Sequence, residues 1–99
     1  MNEHQAASEM ATAAGELLLQ LRPTASGDEL KARGDRESHE LLMSELARRY
    51  PDDAVLSEEG VDDPVRLGAQ RVWIVDPLDG TREYGEPPRH DWAVHVALW

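Results

Sequence analysis

At 99 residues, 40% of them hydrophobic and none a cysteine, the chain suits one domain or a part of one. It can form no disulfide or thiolate metal site, and no apolar run approaches the ~20 residues that span a bilayer. Twenty acidic against ten basic residues, a net charge of −10, argue against unspecific binding to a nucleic acid polymer, which rests on basic patches.

Most of the acidic excess reads as a solvated surface, with some of it available to hold divalent cations. The opening Met-Asn-Glu-His has neither a basic leader nor an apolar signal core, so the cytoplasm is the expected compartment. From Glu3 to Arg22, Met10, Ala14, Leu17, Leu18 and Leu21 recur at helical spacing, and Pro23 stops the pattern. The stretch PTASGDELKARG reads as a loop, being rich in turn formers and charge. A second helix is expected from about Asp35, a good N-cap residue, to about Arg49, with Leu42, Met43 and Leu46 as its stripe.

Ala54–Ser57 reads as a short strand leading into Glu58 and Glu59, and VDDPVRLGAQ as a polar connection. Val72–Val75 is apolar on both faces, as a fully buried strand would be. Between Trp92 and Leu98, Trp92, Val94, Val96 and Leu98 alternate with Ala93, His95 and Ala97, the signature of a half-covered strand. The expected class is α+β, two helices packed on a mainly antiparallel sheet. The chain stops at Trp99 inside that strand, an odd place for a natural domain to end.

The central question is why two aspartates stand three apart at the mouth of a buried strand, in RVWIVDPLDGTREYG. Pro77 cannot donate to a ladder, so the strand is expected to release the chain at Asp76-Pro77. Gly80 permits a tight bend, and Asp79 and Thr81 suit the start of a short helix through Glu83 and Tyr84. Two carboxylates gathered there without a cation repel each other. Mg²⁺ seeks oxygen ligands and binds carboxylate and phosphate together, which removes the conflict and suits a phosphate ester as substrate. Ser57-Glu58-Glu59 presents acids at a second strand end, and Asp35 is a third source.

Each residue also has a plain structural reading. Asp79 and Asp35 can cap helices, Asp76 can shape an Asp-Pro turn, Glu58 and Glu59 can form a solvated turn, and Thr81 can be a helix-start hydroxyl. Their joint occurrence favours the metal reading. An EF-hand loop fails on spacing, since Leu78 and Pro87 fall where it needs acids. The haloacid dehalogenase pair has one intervening residue where this chain has two. His90 and His95 read as loop and sheet residues, because Mg²⁺ prefers oxygen. Trp73, Trp92 and Trp99 read as core residues, with Trp99 left exposed at the end. Arg82 and Arg89 read as exposed ion-pairing residues that could also meet a substrate phosphate.

The string WIVDPLDGTREY, preceded by AVLSEEG and followed by DWAVHVALW, resembles the inositol monophosphatase superfamily of Mg²⁺-dependent, lithium-sensitive phosphatases. Within it, the actinobacterial CysQ-type 3′(2′),5′-bisphosphate nucleotidases look most similar. The likeness extends from about Ala7 to Trp99 and covers only the N-terminal portion of such an enzyme. It implies that residues 1–99 form the N-terminal, metal-binding part of a layered α/β/α/β/α sugar-phosphatase fold. By the same resemblance Glu58, Asp76, the Leu78 carbonyl and Asp79 hold two or three Mg²⁺ ions, with Asp76 bridging and Glu59 in support. Gly80 and Thr81 offer N–H groups to the phosphate, so that Glu58, Leu78, Asp79, Gly80 and Thr81 surround the substrate. Thr81, paired with Asp35 and aided by Glu59, orients the attacking water.

The implied substrate is a small phosphorylated metabolite, most of all 3′-phosphoadenosine 5′-phosphate in sulfur assimilation. Inositol monophosphate and fructose 1,6-bisphosphate are the alternatives, with no membrane insertion and with room for a homodimer. A metal-binding but catalytically silent fragment is the competing reading, and a plain α/β piece without any site is the third. The chain departs from many relatives around Asp35, where KARGD replaces V-T-x-A-D. The resemblance leads one to expect that the C-terminal portion, which in relatives supplies a further metal-binding aspartate, lies outside these 99 residues.

Overall fold

The computed structural model describes residues 2–57 and 71–99. Helix α1 (Glu3–Leu21) begins in a reciprocal cap, with the Asn2 side chain accepting the Gln5 N–H and the Gln5 side chain accepting the Asn2 N–H. Ala6, Met10, Ala14, Leu18 and Leu21 form its buried stripe, close to the expected helix. A short 3-10 turn, Arg22–Thr24, carries Pro23 near its start and leads toward the second helix.

Helix α2 runs Gly27–Arg49, so it begins eight residues earlier than Asp35 and takes in most of the expected loop. Asp28 and Glu29 fall in its first turn and Arg48 and Arg49 in its last, the charge order that the helix dipole favours. Its buried residues are Leu30, Gly34, Ser38, Leu42 and Leu46, one every four positions. Gly34 and Ser38 occupy two of these inward positions without being large and apolar, so the hydrophobic stripe fades from the sequence while the helix continues. Gly34 is required where it stands: a Cβ there would lie 2.6 Å from the Tyr84 ring and 3.2 Å from a Leu78 methyl.

Three strands, β1 (Ala54–Ser57), β2 (Val72–Asp79) and β3 (Ala93–Leu98), form one sheet in the order β1-β2-β3. The β1–β2 pairing is parallel and the β2–β3 pairing antiparallel. The sheet is therefore mixed, while the expected layer of two helices on a sheet stands. A four-residue helix α3 (Thr81–Tyr84) follows β2.

Two clusters make the core. One joins Ala6, Met10 and Ala14 of α1 with Leu42 and Leu46 of α2 and with Trp73 and Val75 of β2. The other joins Leu18, Leu21 and Leu30 with Leu78 and Tyr84, directly under the loop that follows β2. Each fully buried Leu or Met contributes roughly 1.5–3 kcal/mol. Trp73 is fully buried, Trp92 half-buried, and Trp99 exposed.

Candidate functional site

Strands β2 and β3 keep register from Trp73 opposite Leu98 to Asp76 opposite His95, and the next pair is Asp79 opposite Ala93. Three steps along β2 thus match two along β3, which leaves one extra residue at Pro77-Leu78: a β-bulge. Pro77 has no N–H, so it sacrifices no ladder bond there. The expectation that the strand ends at Asp76-Pro77 is corrected accordingly, because the bulge absorbs the proline and pairing resumes.

The bulge has a consequence for the acids. In a regular strand, residues three apart point to opposite faces. One added residue returns Asp79 to the side of Asp76, away from the buried Trp73, Val75, Pro77 and Leu78. Asp76 is half-buried and accepts the Leu78 N–H at 3.3 Å through Oδ1. Asp79 is exposed, and its Oδ2 lies 3.0 Å from His95 Nε2 on the neighbouring strand. It borders a shallow cavity of about 200 Å³, lined also by Asp91, Trp92 and Ala93.

Gly80 turns the chain out of β2 with φ +84°, a left-handed conformation. A Cβ there would lie 3.0 Å from the Asp91 carbonyl oxygen and 3.2 Å from Trp92 Cα, so backbone strain and crowding both select glycine. Thr81 follows as the first residue of α3. Its hydroxyl lies 3.1 Å from Asp35 Oδ1 and 3.2 Å from the Leu78 carbonyl oxygen. Of these two acceptors the carboxylate, being charged, is the stronger.

Asp35 caps nothing; it lies within α2, one turn before Ser38 and His39. Its position still brings it to Thr81. Burial raises the Asp35 carboxyl above the usual carboxylate range, the Thr81 hydrogen bond draws it back, and the Asp76 carboxylate adds to the rise.

Two further α2 side chains reach the strand ends. Ser38, fully buried, donates to the Pro77 carbonyl at 2.7 Å. His39 Nδ1 lies 3.1 Å from Ser57 Oγ at the end of β1. Glu58 and Glu59, which follow Ser57, lie outside the described residues. Beneath the site, Arg22 donates from Nε and Nη2 to the Tyr84 carbonyl at 3.1 and 3.0 Å and from Nη2 to the Glu83 carbonyl at 3.2 Å. Its guanidinium lies over the Tyr84 and Trp92 rings, 5.2 and 5.3 Å from their centres. Ser38 and Arg22 had no signal in the sequence beyond a polar residue at an inward helical position and an arginine before Pro23.

Arg82 pairs with Glu86, and Arg89 with Glu86 and Asp91, as surface ion pairs of the expected kind. The donor set offered by Asp76, the Leu78 carbonyl and Asp79 is all oxygen and comes from four consecutive residues, which fits a hard divalent cation. Among the described residues no three His, Cys, Asp or Glu side chains gather closely enough to hold a metal by themselves. No helix among them is long and apolar enough to cross a membrane.

A helical layer thus packs on a mixed sheet, and an acid-bearing bulge opens into Gly-Thr at the start of a short helix. The statistical description of the inositol monophosphatase family matches residues 2–99, and the chain belongs to that family. It is 57% identical over 96 residues to a 3′-phosphoadenosine 5′-phosphate phosphatase of Mycobacterium leprae, covering 94% of this chain and 35% of that protein. The crystal structure of CysQ from Bacteroides thetaiotaomicron superposes with a TM-score of 0.77 at 36% identity, over 95% of this chain and 36% of that one. Inositol monophosphatase-II from Staphylococcus aureus superposes with a TM-score of 0.85 at 24% identity, over all of this chain and 37% of that one, a likeness of fold. The chain thus spans about a third of the length of the relatives it matches.

Proposed function

We propose that residues 1–99 are the N-terminal metal- and phosphate-handling portion of a Mg²⁺-dependent phosphatase acting on a small phosphomonoester. The favoured reaction is hydrolysis of 3′-phosphoadenosine 5′-phosphate to AMP and phosphate in the cytoplasm, in keeping with the names of the mycobacterial relatives and of CysQ. Inositol monophosphate and fructose 1,6-bisphosphate are the substrates to compare. The observation that carries the reading is the bulge at Pro77-Leu78, which turns Asp76 and Asp79 to one side just before Thr81 meets Asp35.

In this reading Asp76, Asp79, the Leu78 carbonyl and Glu58 hold the Mg²⁺ ions, with Glu59 in support. The bound cations supply charge to offset that of the entering and leaving oxygens during in-line displacement. Thr81 gives its hydroxyl proton to a hydrogen bond with Asp35, so its oxygen is free to accept a hydrogen bond from the attacking water and orient it. The N–H groups of Gly80 and Thr81 face the phosphate. A bond forms between the water oxygen and phosphorus while the bond to the leaving oxygen breaks. Lithium inhibition belongs to the same reading.

The test is phosphate release from the three substrates with Mg²⁺, with a chelator and with added lithium. Activity on the bisphosphate nucleotide that vanishes with the chelator and falls about a hundredfold or more in Asp76→Asn and Asp79→Asn is expected. Undiminished turnover in Asp79→Asn sinks the ligand assignment. A second reading, a metal-binding portion that turns over only when completed by another segment, is motivated by the 35% coverage of the M. leprae relative. Calorimetric Mg²⁺ uptake without phosphate release would select it.

A further inference from the structure

The geometry points to Ser38 as the positioning residue of the Asp76–Thr81 loop, an inference that rests on the proposed metal site. Ser38 is fully buried, and its hydroxyl donates to the Pro77 carbonyl at 2.7 Å. Pro77 is also fully buried, and it sits in the bulge where register with β3 is interrupted. Its carbonyl needs a donor from elsewhere, because a buried carbonyl left unpaired is strongly unfavourable.

Asp35 stands three positions earlier on α2, so the two side chains project from one side of the helix. Asp35 accepts from Thr81, and Ser38 donates to Pro77. One turn of α2 therefore grips the loop at both ends, leaving Leu78, Asp79 and Gly80 between the two grips. The hydrogen bonds are complementary: a carboxylate meets the hydroxyl end and a hydroxyl meets the carbonyl end. A serine with nothing but structural duty could hydrogen-bond its own helix, as serines inside helices often do. Ser38 instead spends its one proton on the residue between Asp76 and Leu78.

The experiment uses the full chain and two readouts, calorimetric titration with Mg²⁺ alone and amide hydrogen exchange at Leu78, Asp79, Gly80 and Thr81. Ser38→Ala removes the donor, and Ser38→Cys, of similar bulk and weaker donor strength, takes its place should Ser38→Ala not fold. Leu41→Ala, on the same helix but packed against the other cluster, controls for a general loss of stability. We expect Ser38→Ala to weaken Mg²⁺ binding about tenfold and to speed exchange across the loop, as loss of a ligand's supporting hydrogen bond does in metal sites. Leu41→Ala should lower the melting temperature and leave both readouts near wild type.

Unchanged Mg²⁺ affinity in the serine variant overturns the inference, as does equal weakening in Leu41→Ala. Asp76→Asn separates this failure from failure of the site itself. If Asp76→Asn takes up Mg²⁺ as wild type does, or wild type takes up none, the metal reading falls and the positioning role falls with it. Loop exchange then still reports whether Ser38 orders the chain.

Discussion

Thr81 and Asp35 are 46 positions apart in sequence, yet hydroxyl and carboxylate meet at 3.1 Å. The contact joins the first turn of a four-residue helix to the interior of a long one. It links the stability of the loop to the ionisation of one half-buried acid.

Replacing that acid should therefore separate stability from activity. Burial and the Asp76 charge hold the Asp35 carboxyl above its ordinary range, so the folded chain binds a proton there more tightly than the unfolded chain does. The contribution of this group to stability is highest below the ordinary carboxylate range and declines as pH rises through the raised folded value. Asp35→Asn keeps an acceptor for Thr81 and abolishes the decline. Urea unfolding at a series of pH values should show the variant gaining on wild type as pH rises, while phosphate release falls at least about tenfold. Parallel stability curves would remove the electrostatic account.

Tyr84 makes the matching prediction in alkali. Its hydroxyl, at the centre of the second cluster, donates to the Leu18 carbonyl at 2.5 Å, and burial pushes its pKa up to about 12. The neutral ring's contribution is complete below the ordinary value near 10 and is lost as pH climbs from there toward about 12. Tyr84→Phe should lose about 1 kcal/mol at neutral pH through loss of the hydrogen bond to the Leu18 carbonyl. The gap to wild type should narrow above pH 10, measured by chemical unfolding.

Gly34→Ala tests packing against propensity. Alanine favours a helix over glycine by about 1 kcal/mol. The added Cβ would sit 2.6 Å from the Tyr84 ring, which is pinned at its hydroxyl and cannot swing away. Overpacking of that kind is unfavourable by about 1–3 kcal/mol, so a lower melting temperature is the expected result. A higher one would mean that α2 and α3 are further apart than described.

Arg22 holds the other end of α3. Arg22→Ala removes a charged donor from the Glu83 and Tyr84 carbonyls and should destabilise by about 1.5–3 kcal/mol in thermal or urea unfolding. Arg22→Lys, with one compact head, cannot place donors as the planar fork does and should recover less than half of the loss. Full recovery by lysine would show that charge alone matters there.

Much of this was visible in the residues. The spacing of Met10, Ala14, Leu18 and Leu21 marked α1, the apolar run before Asp76 marked β2, and the alternation after Trp92 marked β3. The α1 and β3 signals are legible because burial on one face imposes a period that survives in the side-chain types. The β2 run, expected to be buried on both faces, instead leaves Ile74 exposed among the described residues. The start of α2 was not, because Gly34 and Ser38 hold inward positions for reasons lying elsewhere in the fold: a ring to clear and a carbonyl to satisfy. Periodicity registers apolar burial, and neither residue is large and apolar.

The same division runs through the site. Sequence alone determined which donors are on offer, since D-P-L-D-G-T and S-E-E both carry carboxylate oxygens, the ligand type that suits Mg²⁺. Tertiary structure decided how the described donors are presented. Whether Asp76 and Asp79 face one side or two depends on a single extra residue in β2, and a bulge exists only relative to the strand paired with it. Asp35 likewise acquires its partner only when α2 packs across the end of that strand. Such relations belong to pairs of segments, and no local pattern in one segment can encode them.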